Sequence, residues 1–312
     1  MHSDAPWRWI AGRALALFAV AALTPTIASA CACGCGVFDV GDATLIPGGA
    51  GAGAWLEYDY LDQTRNWSGA GRAPAANNTD IRIITDFATL GGQYMWKSGW
   101  GVMAEIPLAA RSFTTDQNGP FQTIRHGGVG DIRLMGIYSG FSPSMATGMT
   151  FGLKLPTGSF NDAGYDRDIQ IGSGTTDLIL GGYHTGGIGK DAAWTWFAQG
   201  RWDVPLNSRA GYRPGDEADA AIGVAWSASQ PTAKVSVTPM LQLIASDRAR
   251  DTGPAANPAN TGYERLLVAP GVELKAANWK LYGDVELPLY QRVNGNQLVS
   301  PALFKVVLSR SF

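Results

Sequence analysis

The amino-acid sequence predicts an all-β fold: a transmembrane, antiparallel, up-and-down β-barrel of about twelve strands. Three observations predict it. The chain opens with a secretory leader, its later segments alternate apolar and polar residues with a period of two, and the connections between those segments alternate short and long.

The leader decides the compartment. Arg8 and Arg13 form a basic flank, an apolar run follows from Ala14 to Leu23, and Ala28-Ser29-Ala30 places small residues where a signal peptidase cuts. A run of about ten apolar residues is too short for a membrane-spanning helix, which needs roughly 20. Residues 1–30 are therefore expected to be a cleaved signal, residues 31–50 a Cys/Gly-rich N-terminal segment, and residues 51–312 the barrel, placed in the outer membrane of a Gram-negative cell.

Composition narrows the class. Lys and Arg number 24 and Asp and Glu 26, and only 16% of the 312 residues are charged, against about a quarter in ordinary soluble domains. A nearly neutral chain has no basic excess to set against a nucleic-acid backbone, so nucleic acid is excluded as a partner. Tryptophan (11) and tyrosine (10) are plentiful, and no segment after Leu23 is apolar for a helix-spanning length. Low charge, many aromatics and no spanning helix leave a barrel in lipid or a secreted sandwich.

The strand rhythm is clearest over Trp279–Tyr290. Trp279, Leu281, Gly283, Val285, Leu287 and Leu289 fall on one face, and Lys280, Tyr282, Asp284, Glu286 and Tyr290 on the other. The same split recurs at Leu56/Tyr58/Tyr60 against Glu57/Asp59, at Trp194/Trp196/Trp202 against Arg201/Asp203, and at Val235/Val237/Leu241/Leu243 against Lys234/Gln242. In lipid the apolar face would point out and the charged face would line the lumen.

Connection lengths separate barrel from sandwich. Short turns at Lys97–Gly99, Ser142–Ser144, Gly187–Asp191, Ser229–Thr232 and Ala276–Asn278 alternate with longer polar stretches at Gln63–Thr79, Thr114–Arg125, Thr157–Thr175, Asn207–Glu217 and Ser246–Thr261, and with a shorter one at Val293–Gln297. Short periplasmic turns and long external loops are the signature of an up-and-down outer-membrane barrel. Trp96, Trp100, Trp194, Trp202, Trp226, Trp279 and Tyr290 sit near strand ends, where amphipathic rings occupy the membrane interfaces. The last strand ends on Phe312, as in chains handed to the barrel assembly machinery, although Arg310 breaks the apolar pattern just before it.

Three stretches carry a family resemblance. Gly128-Val129-Gly130-Asp131-Ile132-Arg133-Leu134 with Tyr138, Gly152-Leu153-Lys154-Leu155-Pro156-Thr157-Gly158, and Gly172-Ser173-Gly174-Thr175-Thr176-Asp177-Leu178 resemble, in order, motifs of the MetA-pathway-of-phenol-degradation family. The resemblance implies an outer-membrane barrel with a transporter-like role and, from the family name, apolar or aromatic solutes. The residues have a plain reading too: Gly128 and Gly130 relax the backbone where a loop enters a strand, and Pro156 ends a strand where no ladder bond is lost. Gly172-Ser173-Gly174 lacks the lysine and helix of a nucleotide loop.

The alternation assigns to the lumen Glu57, Asp59, Arg82, Asp86, Glu105, Asp131, Arg133, Lys154, Asp177, Arg201, Asp203, Lys280, Asp284 and Glu286. Their mixed signs point to ion-pair ladders, since an unpaired buried charge is costly. No catalytic residue is expected: His126 is placed in a loop and His184 on the outward face beside Leu178 and Leu180, neither with a nucleophile at a telling spacing. Cys31-Ala32-Cys33-Gly34-Cys35 holds all three cysteines. Thiols at alternate positions could chelate a soft metal ion or pair as a disulfide, Cys31 could instead be lipidated, or the three could be idle.

The sequence thus favours a passive channel or uptake route for a small-molecule solute, with outer-membrane lipid and lipopolysaccharide around it and no cofactor. A metal-handling protein using the cysteines and a barrel lipid hydrolase are the alternatives.

Overall fold

The computed structural model describes residues 31–32, 46–116, 119–189, 193–227 and 234–312. The expected leader, Cys33 and Cys35 lie outside the described residues. No helix among the described residues is long and apolar enough to cross a membrane, which leaves crossing by strands untouched.

The strands, in chain order, are β1 (Cys31–Ala32), β2 (Gly51–Gln63), β3 (Arg65–Gly69), β4 (Gly71–Arg72), β5 (Asp80–Met95), β6 (Trp100–Thr115), β7 (Gln122–Val129), β8 (Arg133–Tyr138), β9 (Thr147–Lys154), β10 (Asp177–Ile188), β11 (Trp194–Pro205), β12 (Glu217–Trp226), β13 (Ser236–Arg248), β14 (Tyr263–Ala276), β15 (Trp279–Val299) and β16 (Leu303–Ser311). Each barrel strand pairs antiparallel with the next, β2 pairs with β16, and the β14–β15 pairing leaves no open edge in the ring. β7 and β8 both pair with β6 and share one place in the wall, so the closed barrel has twelve strand positions. Closure pairs the backbone polar groups within the sheet, which a wall facing hydrocarbon requires.

Alternation sorts the side chains. On β2, Trp55, Glu57, Asp59, Leu61 and Gln63 are buried inside while Leu56 and Tyr58 are exposed outside. The outward face carries Leu90, Val102, Leu108, Leu241, Leu281, Leu287 and Val306, the apolar band expected against lipid. Aromatic pairs gather at the short-turn end: Trp100 with Tyr138 at 4.8 Å and Tyr94 with Trp96 at 5.2 Å. Arg310 belongs to this belt, its guanidinium lying 5.1 Å from the Trp279 ring and 4.8 Å from that of Phe312. Cation–π contact lets the charge sit among interface aromatics.

The interior is filled more than a purely polar lining would be. Trp55, Phe197, Ile244, Leu267, Tyr282 and Val307 form a buried cluster on one side of the lumen. Room for them comes from small residues on neighbouring strands: a Cβ on Gly91 would stand 2.0 Å from the Trp55 indole.

Two expectations on β15 need correction. Tyr290 is exposed outside instead of facing the lumen, because the register with β14 slips between Leu266 and Leu267 and Pro288–Tyr290 carries the extra residue of a bulge. Residues 293–297 are not a loop: β15 continues to Val299 because β3 supplies a pairing partner above the rim.

Arginine in place of Leu241, which is 50% exposed at the middle of β13, is expected to destabilise the inserted barrel by about 2–4 kcal/mol. Glu264, in the exposed Glu264–Arg292 pair toward the long-loop end, should tolerate the same change within about 1 kcal/mol. Urea unfolding of the two variants in lipid vesicles checks the contrast; equal costs would contradict the assigned facing.

Candidate functional site

The lumen is built around one loop. Between β9 and β10 the chain does not arch outward: residues 155–176 fold into the barrel, where Ile169 packs against Ile83, Phe113 and Leu298. Arg111 of β6 holds this loop from below. Its Nε donates to Thr85 Oγ1 at 3.0 Å, and its Nη1 donates to the Ile169 and Gln170 carbonyl oxygens, the latter at 3.0 Å. Gln170 then knits the loop to itself, donating to the Asp162 and Tyr165 carbonyl oxygens and accepting from the Asp162 N–H.

The three resembling motifs meet at the root of this loop. Asp131, just before β8, accepts from the Gly158 N–H at 2.9 Å, the Ser173 N–H at 2.8 Å and the Ser173 hydroxyl at 2.8 Å. Thr157 Oγ1 donates to the Gly130 carbonyl and accepts from the Ile132 N–H. Gly158 and Gly172 let the two arms of the loop touch, because a Cβ on either would come within 2.8 Å of the other's backbone. Asp131 is thus the latch that ties strand, loop start and loop end together. Charged acceptors bonded to backbone N–H groups are among the stronger hydrogen bonds.

Below the latch runs a circumferential charge ladder. Register places Glu105, Arg133, Lys154 and Asp177 side by side on β6, β8, β9 and β10. Arg133 lies 3.5 Å from Glu105, Lys154 pairs with Asp177, and Arg201 grips Asp203 with two bonds of 2.8 Å on β11. Glu57, Asp59, Lys280, Asp284 and Glu286 also face the lumen, Lys280 paired to Glu273 at 3.3 Å near the short turns.

Arg82 and Asp86 do not line it. Both stand on the outward face of β5, Arg82 bonded to Asp62 at 2.6 Å and Asp86 accepting from the Tyr58 hydroxyl at 2.6 Å. In β5 the inward positions are Ile83, Thr85, Phe87 and Thr89, and Arg82 and Asp86 find their partners outside, in Asp62 and Tyr58 of β2. Polarity alone misassigned them. His126, expected in a loop, is on β7 facing inward, stacked on Tyr165 of the loop at 3.7 Å and 3.1 Å from Asp162. His184 is on the outward face, its Nδ1 2.6 Å from Thr147 Oγ1. Of the cysteine segment, only Cys31–Ala32 is described, pairing in parallel with Gln297–Leu298 at the long-loop end.

Two cavities lie on either side of the ladder. The upper, about 170 Å³, is polar and bounded by the inward loop together with Arg111, Arg133, Asp203, Tyr212 and Arg248. The lower, about 110 Å³, is the more apolar of the two, lined by Met103, Met135, Ile137, Ile179 and Tyr183 and bounded also by Gln199 and the charged Glu105 and Arg201. Ile46 and Pro47, from the segment before β2, enter its wall.

No protein-family model matches the chain, and no curated protein matches it by sequence. Among solved structures it is similar to the COG4313 outer membrane channel from Pseudomonas putida F1, with a TM-score of 0.64 and 14% identity over 88% of this chain and 99% of that one. It is also similar to the β domain of the Bordetella autotransporter BrkA, with a TM-score of 0.52 and 13% identity over 84% of this chain and 100% of the other. Likeness to one channel and one autotransporter domain establishes the outer-membrane barrel fold and leaves the activity to the site.

Alanine in place of Asp131 should free residues 155–176 by leaving the Gly158 and Ser173 N–H groups without their acceptor. Trypsin cleavage at Arg167 should accelerate by about tenfold or more, the equivalent of one lost hydrogen bond. Unchanged cleavage would show that the latch is dispensable.

The loop also carries a proton-dependent element. Burial, then the charges of Asp166 and Asp251, push the Asp168 carboxyl up to about 8, with Arg248 acting in the opposite direction. A freed Asp168 would titrate near its ordinary value of about 3.9. The inward position is therefore favoured most below that value, loses stability as pH rises toward about 8, and changes little above it. Current fluctuations in planar bilayers should increase between about pH 5 and pH 8 and then level off. Asp168→Asn should remove that dependence, and a slope that survives the substitution would assign it to another group.

Proposed function

We propose that this chain is an outer-membrane channel that takes up small, largely apolar solutes. The carrying observation is the lower cavity. Met103 and Met135 line it, Met95 and Met145 pack with its Ile137 and Tyr183, and thioether side chains adapt to varied apolar shapes. A space of about 110 Å³ is of the order of the dry 150 Å³ cavity that accepts a single benzene ring. The charge ladder above it is internally neutralised, so it presents fixed dipoles and little net charge to a passing molecule.

A conduit also accounts for the ends of the lumen. The inward loop closes the outer half, and Ile46–Pro47 narrows the inner half, so passage requires one or both to move. The reading as a lipid hydrolase has less support: His184 bonds Thr147 on the lipid-facing side, and the described contacts give this pair no third, orienting carboxylate or amide. Surrounding lipid, lipopolysaccharide and the assembly machinery are the partners such a barrel requires.

The test is uptake. Cells displaying the full chain should accumulate a single-ring apolar solute faster than cells lacking it, and deleting residues 31–50 should raise the rate further. Met135→Lys, which puts a charge into the lower cavity at a cost of several kcal/mol, should depress uptake by well over tenfold while the barrel still assembles. Rapid hexose flux without apolar uptake would identify a general porin instead.

A further inference from the structure

One cation of the inward loop has no counter-ion. Arg167 Nε and Nη1 are buried without an acceptor, and no carboxylate among the described residues pairs with this guanidinium. Its hydrogen bonds run from Nη2 to the Ser173 and Arg209 carbonyl oxygens, at 3.4 and 3.3 Å, which is long for a charged donor. The group lies instead over two rings, 5.1 Å from the centre of Phe160 and 4.8 Å from that of Tyr212. The neighbouring charges are matched elsewhere: Arg133 by Glu105, Lys154 by Asp177, Asp203 by Arg201 and Arg248 by Asp251. A buried charge left alone is costly unless something negative comes to it.

A second observation points to a ligand. Arg167 borders the upper cavity, about 170 Å³, together with Asp168, Phe87, Pro107 and Ile171. That volume is of the order of the roughly 150 Å³ that accepts one benzene ring, and Phe87, Pro107 and Ile171 supply apolar wall for such a body. Asp168 Oδ2 is also buried without a hydrogen-bond partner. Burial, with the charges of Asp166 and Asp251, keeps the proton on this carboxyl up to about pH 8, so at neutral pH it is a donor. The cavity thus offers donors to one negative charge and apolar surface to one ring.

We propose that the upper cavity binds a small organic acid, a monocarboxylate with a single-ring body, its carboxylate on Arg167 and its ring against Phe87, Pro107 and Ile171. One uncompensated positive charge matches one carboxylate, and the planar guanidinium suits carboxylate geometry. Phosphate or sulfate would bring excess charge and leave the apolar wall bare. Because Arg167 belongs to residues 155–176, an occupied site ties the inward loop to the barrel wall. The inference rests on the uptake reading for the solute's passage, while the binding chemistry stands on the cavity alone.

Calorimetric titration of the full chain in detergent at neutral pH with sodium benzoate should show saturable binding with a Kd of about 1 mM or below, a modest affinity for a ligand of this size. Benzoate at ten times its Kd should slow trypsin cleavage at Arg167 by about tenfold. Benzyl alcohol, the ring without the charge, and sodium phosphate, the charge without the ring, should give no such protection at the same concentration. Arg167→Met should weaken benzoate binding by at least about tenfold, and Arg292→Gln, in the exposed pair with Glu264, should leave it unchanged. If Arg167→Met does not assemble, the protection of the parent chain by the three compounds decides. Absence of heat and of protection up to about 20 mM benzoate, an order above the expected Kd, would overturn the proposal. Equal protection by either comparison compound, or equal binding by Arg167→Met, would overturn it as well. Benzoate binding without uptake of any apolar solute would keep this site and remove the channel reading; uptake without benzoate binding would do the reverse.

Discussion

Closure of the sheet is the constraint from which the rest of the structure follows. A wall that faces hydrocarbon must pair its own backbone N–H and C=O groups, and strands can do so only in a ring. Once β14 meets β15 and β2 meets β16, every second residue is committed to a narrow interior. Charges that alternation sends there have little water to dissolve in, so they must neutralise one another across strands. The Glu105–Arg133–Lys154–Asp177 ladder is the result, and it lies between a polar and a more apolar cavity.

The same constraint explains the inward loop. An interior of twelve strand positions is wider than a few side chains can fill, and residues 155–176 occupy the upper part of it. Their backbone brings carbonyl and N–H groups into a dry space where each needs a partner. Arg111 supplies donors to the carbonyls, and Asp131 supplies acceptors to the N–H groups at the loop's root. Opposite charges on β6 and ahead of β8 thereby fix one segment from two sides. His126 adds a stacked face against Tyr165.

Much of the fold was legible from residue order. The period-two runs, the alternating turn lengths and the aromatic ends located the strands of the barrel, because a lipid-facing ring imposes those patterns on any chain that forms it. The facing of Arg82 and Asp86 was not legible. Both are polar in a strand whose inward positions are Ile83, Thr85 and Phe87, and partners from β2, Asp62 and Tyr58, satisfy them outside. Neither was Tyr290, since a single bulge reverses every side chain beyond it. The methionine-rich interior left only a weak signal: Met95, Met103 and Met135 fall on inward positions of successive wall strands, which becomes visible only once the register is known.

By itself the sequence determined that this is an all-β chain with an amphipathic strand pattern, and that Asp131, Gly158 and Ser173 belong to motifs worth singling out. These are local properties, set by backbone period and side-chain chemistry within a few residues. Only the tertiary structure decided that the three motifs form one latch, that the loop after β9 turns inward, and that four carboxylates crowd the wall of β15, β16 and β2. Each of those depends on which residues closure brings opposite one another. Cross-strand register is a property of the whole ring, and residues as far apart as Asp59 and Asp284 become neighbours only when it closes.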